Sequence, residues 1–348
     1  MKKVRIVIVG PGLIGKKHID LVRANPETEL VGIVAPDHAP HHEFANNLGV
    51  RLHHSLEAML NEVEVDGVII ASPNIFHAEQ ATFCIKKGIA VFVEKPITHT
   101  FTDGQRLVEL AEQHDAKVLI GHHRAHSPIL SAAREVIKSG KLGEIVAIMG
   151  SALFYKPASY FEAGSWRREL GGGPILINLI HEIGNFRSLC GEITAVQAMA
   201  SAATRNFAVE DSVAIIFQFA GGALGTFLLS DTAASARSWE QTSQENKSYP
   251  TYPDEDCYSV SGTMGSLSIP TMRIKYYRSE AEQSWWSPFV EETIDVSRKD
   301  PLACQLDHFV DVVRGEAMPL VSARDGLRNL QITEAIAESA RTRQMVRV

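Results

Sequence analysis

The sequence predicts an α/β protein in two parts, an N-terminal doubly wound parallel sheet followed by an α+β half built on a mainly antiparallel sheet. Three observations carry this. Apolar, β-branched runs without polar alternation recur at residues 4–9, 30–34, 65–71, 89–93 and 117–120, separated by helical patterns, which is how strands buried on both faces of a parallel sheet read. The first run passes directly into Gly10-Pro11-Gly12-Leu13-Ile14-Gly15. From Glu144 onward the strand-like runs 144–153, 194–203, 212–219, 223–230, 258–262, 266–269 and 272–277 arrive largely without helices between them. A length of 348 residues also exceeds the usual domain of roughly 100–200 residues. The boundary is drawn at 121/122, with the C-terminal helix a candidate to pack back on the first part.

In order along the chain, the glycine turn lies between a strand and a helix whose Ile14, His18, Leu21 and Val22 share one face. That context makes G-x-G-x-x-G a dinucleotide-binding turn. Gly10 makes the turn, Gly12 lets backbone approach a pyrophosphate, and Gly15 packs helix on strand, while Leu13 and Ile14 open the helix toward the phosphates. The acidic residue that grips the adenosine ribose is expected about 20 positions on. Ala35 occupies that place and Asp37 follows two residues later. Asp37 would repel a 2′-phosphate, and no arginine follows closely to receive one, which favours NAD(H) over NADP(H). His38, His41 and His42 read as a solvated, proline-rich loop, with no metal. Ser55 caps a helix carrying Leu56, Met59 and Leu60.

In an open parallel sheet, the loops after the strand carboxyl ends line the ligand crevice. Ser72, Pro73, Asn74 and His77 fall in one such loop, and Glu94-Lys95-Pro96 in the next. A lysine held there by proline can orient a hydroxyl or share a proton. Gly121-His122-His123-Arg124-Ala125-His126 ends the half. Three histidines invite a zinc reading, but no nearby acid or cysteine completes a ligand set. His123 and Arg124 are expected to form a polar, substrate-facing wall.

In the second half, Gly221-Gly222 reads as a hairpin turn. Gly171-Gly172-Gly173-Pro174 leads into an apolar stretch holding Asn178 and His181. A helix starting near Pro174 puts those two on a shared face. The polar stretch 234–256, with Arg237 and Trp239 near its start, reads as a long loop of the kind that often serves function. Ile332, Ala335, Ile336 and Ala340 repeat at helical spacing and read as core.

Composition excludes several classes. With 45% hydrophobic and 22% charged residues and a formal charge of −7, the chain lacks the basic patches of a nucleic-acid binder. No run reaches the roughly 18 apolar residues of a membrane span, and the basic start runs into the glycine turn instead of a cleavage site, which reads as cytoplasmic. Cys84, Cys190, Cys257 and Cys304 are scattered, indicating neither disulfides nor zinc.

Together, the Gly10–Gly15 turn, Ser72-Pro73-Asn74 with His77, Glu94-Lys95-Pro96, Trp166-Arg167, and Gly171-Gly172-Gly173 leading to His181 resemble the glucose-fructose oxidoreductase and inositol 2-dehydrogenase family over essentially the whole chain. The resemblance implies an N-terminal Rossmann domain, a C-terminal domain on a large open sheet, a nicotinamide cofactor, and a homodimer or homotetramer formed through that sheet. It implies hydride transfer at one hydroxyl-bearing carbon of a sugar, cyclitol, sugar acid or related cyclic diol. Lys95 then assists proton transfer, His181 is the acid/base with Asn178 orienting it or the substrate, and Trp166 and Arg167 join the substrate site. Imidazole titrates near pH 6.5 and suits removal of a hydroxyl proton at neutral pH. Many members carry aspartate four residues before the histidine. Here that position is Ile177, with Asn178 one step later, and an amide can orient the imidazole but not supply charge. Two alternatives remain: a dihydrodiol-type or imine-reducing dehydrogenase on a carboxylated ring, drawing on Arg124, Arg167 and Arg168, and a non-catalytic NAD(P)-binding sensor.

Overall fold

The computed structural model describes residues 2–348, which form two compact units. The first is Met1–His126 with Pro301–Leu330, and the second Ser127–Asp300 with Gln331–Val348. Each unit is thus made of two chain segments.

The first unit holds six parallel strands: β1 (Val4–Val9), β2 (Thr28–Val34), β3 (Leu52–His53), β4 (Gly67–Ile70), β5 (Ala90–Glu94) and β6 (Val118–Gly121). Their order in the sheet is β3-β2-β1-β4-β5-β6. The order reverses direction between β1 and β4, the switch point where open α/β sheets bind ligands. Alternation along β1 explains why the run is apolar throughout. Val7 and Val9 belong to the core on one face, Ile6 and Ile8 to the core on the other. The helix Pro301–Arg314, absent from the elements expected above, supplies Leu306, Phe309 and Val310 to the second of these cores. There the Phe309 ring meets Phe92 edge-on with centroids 5.7 Å apart. The expected loop at residues 38–42 is also different in the structure, because a helix spans Ala39–Leu48. Pro40 sits in its first turn, where a missing N–H breaks no helical bond.

The second unit holds nine strands: β7 (Ile145–Leu153), β8 (Ile193–Ser201), β9 (Ser212–Phe219), β10 (Leu224–Ser230), β11 (Tyr258–Gly262), β12 (Gly265–Ile269), β13 (Arg273–Tyr276), β14 (Val290–Thr293) and β15 (Val346–Arg347). The sheet runs β14-β13-β12-β11-β7-β10-β9-β8-β15. Every pair is antiparallel except β10 with β7. In β9, Val213, Ile215, Phe217 and Phe219 are buried while Ala214, Ile216 and Gln218 face outward. The inward set packs with Ile129, Leu130, Ile183, Phe186, Ile332 and Ile336 from helices covering one face of the sheet. The outward set leaves Met149, Met199, Ile216, Leu224 and Leu228 exposed. Trp239, in the stretch expected to form a functional loop, lies in the core instead and donates its indole N–H to Glu245 at 3.1 Å. No described helix is long and apolar enough to cross a membrane, and all four cysteines are free.

Candidate functional site

The first unit gathers its candidates at one edge. Gly10 follows β1, Asp37 follows β2, Ser72-Pro73-Asn74 follows β4, Glu94-Lys95 closes β5, and His123 and Arg124 follow β6. Packing separates the three glycines by role. Gly10 has φ +86, and a Cβ there would lie 2.7 Å from the Ser72 backbone. A Cβ on Gly15 would lie 2.0 Å from the Gly10 carbonyl oxygen. At Gly12 a Cβ would meet nothing within 4 Å, so no protein neighbour demands glycine there. Gly12 is also the N-cap of helix Leu13–Ala24, without a side-chain cap and with no acid in the first turn. The helix start thus keeps its backbone N–H groups for an external anion, the arrangement that receives a pyrophosphate. Leu13 is 90% exposed beside it.

The β4 and β5 loops are tied to each other. His77 is buried, with Nδ1 2.9 Å from the Pro96 carbonyl oxygen and Nε2 2.9 Å from that of Ser72. Ser72 Oγ donates to Gln80 at 2.7 Å. His77 is therefore a brace between the two loops, while Asn74 is half-buried and Pro73 exposed. Glu94 is buried as well. Its Oε1 lies 2.8 Å from His18 Nε2, and its Oε2 accepts the Lys95 backbone N–H at 3.1 Å. Burial alone would push the Glu94 carboxyl up, but the His18 hydrogen bond and the charges of His18, Lys95 and His123 hold it below the usual range. Glu94 thus pins the corner from which half-buried Lys95 emerges. His18 was legible only as a polar residue on an otherwise apolar helix face. Arg124 is only 2% exposed, whereas His123 is half-buried.

Burial also holds the His77 imidazole below its ordinary range, against the pull of the Pro96 and Ser72 carbonyls and Glu94. His53 and His308, in the same unit, are pushed down chiefly by burial too. The unfolded chain therefore takes up these protons first. The stabilisation is complete above about pH 6.5 and is lost as pH falls through the lowered folded values. Thermal midpoints measured between pH 7.5 and pH 5 should fall below about pH 6.5, and less steeply in His77→Gln.

In the second unit the glycine run turns into a helix at Pro174, as the sequence predicts. Its first residues, Ile175–Leu179, form a π turn before the α-helix Ile180–Cys190. Such turns are rare and concentrate at functional sites. Glu210, missed in sequence, accepts the Ile175 N–H at 2.9 Å, and burial raises its carboxyl. A Cβ on Gly173 would fall 2.3 Å from Glu210 Oε1. Asn178 lies in the π turn, where its Oδ1 accepts from Lys156 Nζ at 2.8 Å. Lys156 in turn lies 3.5 Å from Asp231, which Arg205 Nε holds at 2.8 Å. Nothing in the sequence marks Lys156, because its partners lie far along the chain.

His181, 7% exposed, sits in the first turn of the α-helix. Below it the Tyr258 hydroxyl donates to buried Glu182 and accepts from Asn185 Nδ2 at 2.9 Å. Trp166 is 53% exposed. The Arg167 guanidinium lies 4.0 Å over the Tyr160 ring and donates to the Tyr160 carbonyl. Arg168 lies 5.4 Å over the Phe207 ring.

Comparisons with known proteins agree with the two-part α/β fold. Residues 4–122 match the model of an oxidoreductase family with an NAD-binding Rossmann fold, and residues 134–348 match the C-terminal α/β domain of the same family. The chain is 26% identical over 343 residues to the rhizopine catabolism protein MocA of Rhizobium meliloti, covering 97% of this chain and 95% of that protein. It is 23% identical over 352 residues to an inositol 2-dehydrogenase of Rhizobium meliloti (strain 1021), covering 99% of each. Among solved structures it is similar in fold to the WlbA dehydrogenase from Chromobacterium violaceum in complex with NADH and UDP-GlcNAcA. That likeness has a TM-score of 0.79 and 24% identity, over 100% of this chain and 96% of the other. The chain belongs to the GFO/IDH/MocA oxidoreductase family and is an NAD(P)-dependent dehydrogenase.

Proposed function

We propose that the protein transfers hydride reversibly between a nicotinamide and a secondary alcohol carbon of a sugar, cyclitol, sugar acid or related cyclic diol, with NAD(H) as the preferred cofactor. The observation that carries the reading is the Glu94-Lys95 corner, where a buried carboxylate bound to His18 and to the Lys95 backbone N–H fixes the position of Lys95 at the carboxyl end of β5. Gly10, Gly12, Leu13, Ile14 and Gly15 receive the pyrophosphate, Asp37 the adenosine ribose, and the Ser72–Asn74 loop braced by His77 borders the rest of the cofactor. When bound, the nicotinamide accepts or returns the hydride. Lys95 donates a hydrogen bond to the reacting oxygen, and His181 takes the hydroxyl proton during oxidation and returns it during reduction. Asn178, with its oxygen held by Lys156, turns its NH2 donor toward imidazole or substrate. Trp166 and His123 line the substrate site, with Arg124 and Arg167 setting its shape.

The arginines on which the carboxylated-ring alternative draws are packed against the protein, Arg124 being buried and Arg167 and Arg168 lying over aromatic rings. The inositol 2-dehydrogenase relative supports the cyclitol class. The deciding experiment is a screen of sugars, inositols, sugar acids and cyclic diols with NAD⁺ and NADP⁺, reading absorbance of the reduced nicotinamide. Turnover with a polyol and a preference for NAD⁺ are expected. NADH binding without turnover on the whole panel would instead make the chain a sensor.

We further propose that the exposed apolar face of the nine-stranded sheet joins two copies of the chain. Ile216→Glu and Met149→Glu together should shift the mass in light scattering toward the monomer. An unchanged mass would place the interface elsewhere or show that none exists.

A further inference from the structure

The parallel register pairs Val34 of β2 with His53 of β3, so the residues that leave the sheet next are neighbours. Asp37 follows β2, His54 follows β3, and His42 projects from the start of helix Ala39–Leu48. His42 Nε2 lies 2.7 Å from Asp37 Oδ1, and the His42 and His54 ring centroids are 5.4 Å apart. One ligand atom from each residue lies within 4.8 Å of the other two, and all three side chains are exposed. Among the described residues no other three His, Cys, Asp or Glu side chains are grouped this way.

The backbone around them is anchored. The His38 carbonyl accepts the N–H groups of His41 and His42 at 2.9 and 3.2 Å, and Ser55, next to His54, caps the following helix at 3.1 Å. His41 is engaged elsewhere, with Nδ1 2.9 Å from the Pro36 carbonyl. Two imidazoles and one carboxylate form the donor set of zinc-class ions, with bonds of about 2.0–2.2 Å and room for water in the remaining position. Magnesium and calcium prefer oxygen donors. Small rotations of exposed side chains bring the three donors onto one ion, which takes the place of the proton between His42 and Asp37.

We propose that Asp37, His42 and His54 bind one divalent transition-metal ion of the zinc class, and that this ion withdraws Asp37 from the cofactor. The second half rests on the reading of Asp37 as the ribose contact. Zinc then acts as an inhibitor competitive with NAD(H), a control that the hydride chemistry itself does not require.

The test is calorimetric titration of the full-length protein with zinc chloride, beside His42→Ala, His54→Ala and, as a control, His114→Ala. One zinc per chain is expected, with Kd raised at least roughly tenfold in each of the first two variants and unchanged in the control. No binding, or binding that survives both ligand variants, overturns the site. NADH titrations then separate the two ideas. Zinc should raise the NADH Kd of the natural protein but not of His54→Ala. Zinc bound through His42 and His54 with NADH affinity unmoved overturns the competition and leaves the metal site standing. Asp37→Ala in metal-free buffer shows whether the ribose reading failed independently, because an unchanged NADH Kd there sinks that contact alone.

Discussion

Replacing His181 with Ala should lower turnover about 100- to 10,000-fold, with NADH affinity left within about twofold. A positioned acid/base contributes that much to a transition state in which a hydroxyl proton and a hydride leave together, equivalent to about 3–5 kcal/mol of barrier. The helix that carries His181 is held by the buried cluster of Glu182, Tyr258 and Asn185. Lys95→Ala should cost turnover on the same scale, because it removes the proposed donor to the reacting oxygen. Steady-state rates with the best substrate of the panel, set beside NADH fluorescence titrations, check both. Near-natural rates in either variant would remove that residue from the mechanism.

Gly15→Ala should be the most damaging small substitution in the first unit, destabilising it by about 3 kcal/mol. The added methyl would sit 2.0 Å from the Gly10 carbonyl oxygen. Backbone cannot yield there without lifting helix Leu13–Ala24 off the sheet, and overpacking of this kind typically costs about 1–3 kcal/mol or more. Gly12→Ala is the informative counterpart. With nothing within 4 Å of its new methyl, stability should stay within about 0.5 kcal/mol, while NADH binding weakens roughly tenfold or more as the methyl meets the pyrophosphate. Denaturant melts and NADH titrations on the two variants separate packing from binding. Equal stability losses would contradict the division of roles between the glycines.

Five strands of the parallel sheet, β1, β2, β4, β5 and β6, were legible because each carries an apolar run that ends in its own recognisable turn. The antiparallel strands of the second unit were legible because alternation and the Gly221-Gly222 hairpin set their limits. Ser212–Phe219 and Tyr258–Gly262 coincide with the expected runs. What escaped has physical reasons. β3 and β15 are two residues each, too short for any period to show. Helix Ala39–Leu48 hides behind a proline and three histidines that resemble a turn. The π turn at Ile175–Leu179 has no compositional mark. Supporting residues such as His18, Lys156 and Glu210 acquire their meaning only from partners brought close by folding: 76, 22 and 35 positions away in sequence.

The two-segment make-up of the first unit bears on how the protein is made. The core behind Phe92 is completed by Leu306, Phe309 and Val310, which a ribosome delivers only after the whole nine-stranded sheet apart from its last strand. Domains generally fold as units during synthesis, the N-terminal one first. Here the glycine turn emerges early and then waits on an open core, so the cofactor-binding unit reaches its final state at the end of translation. Nascent chains halted before residue 301 should therefore expose this apolar face to chaperones.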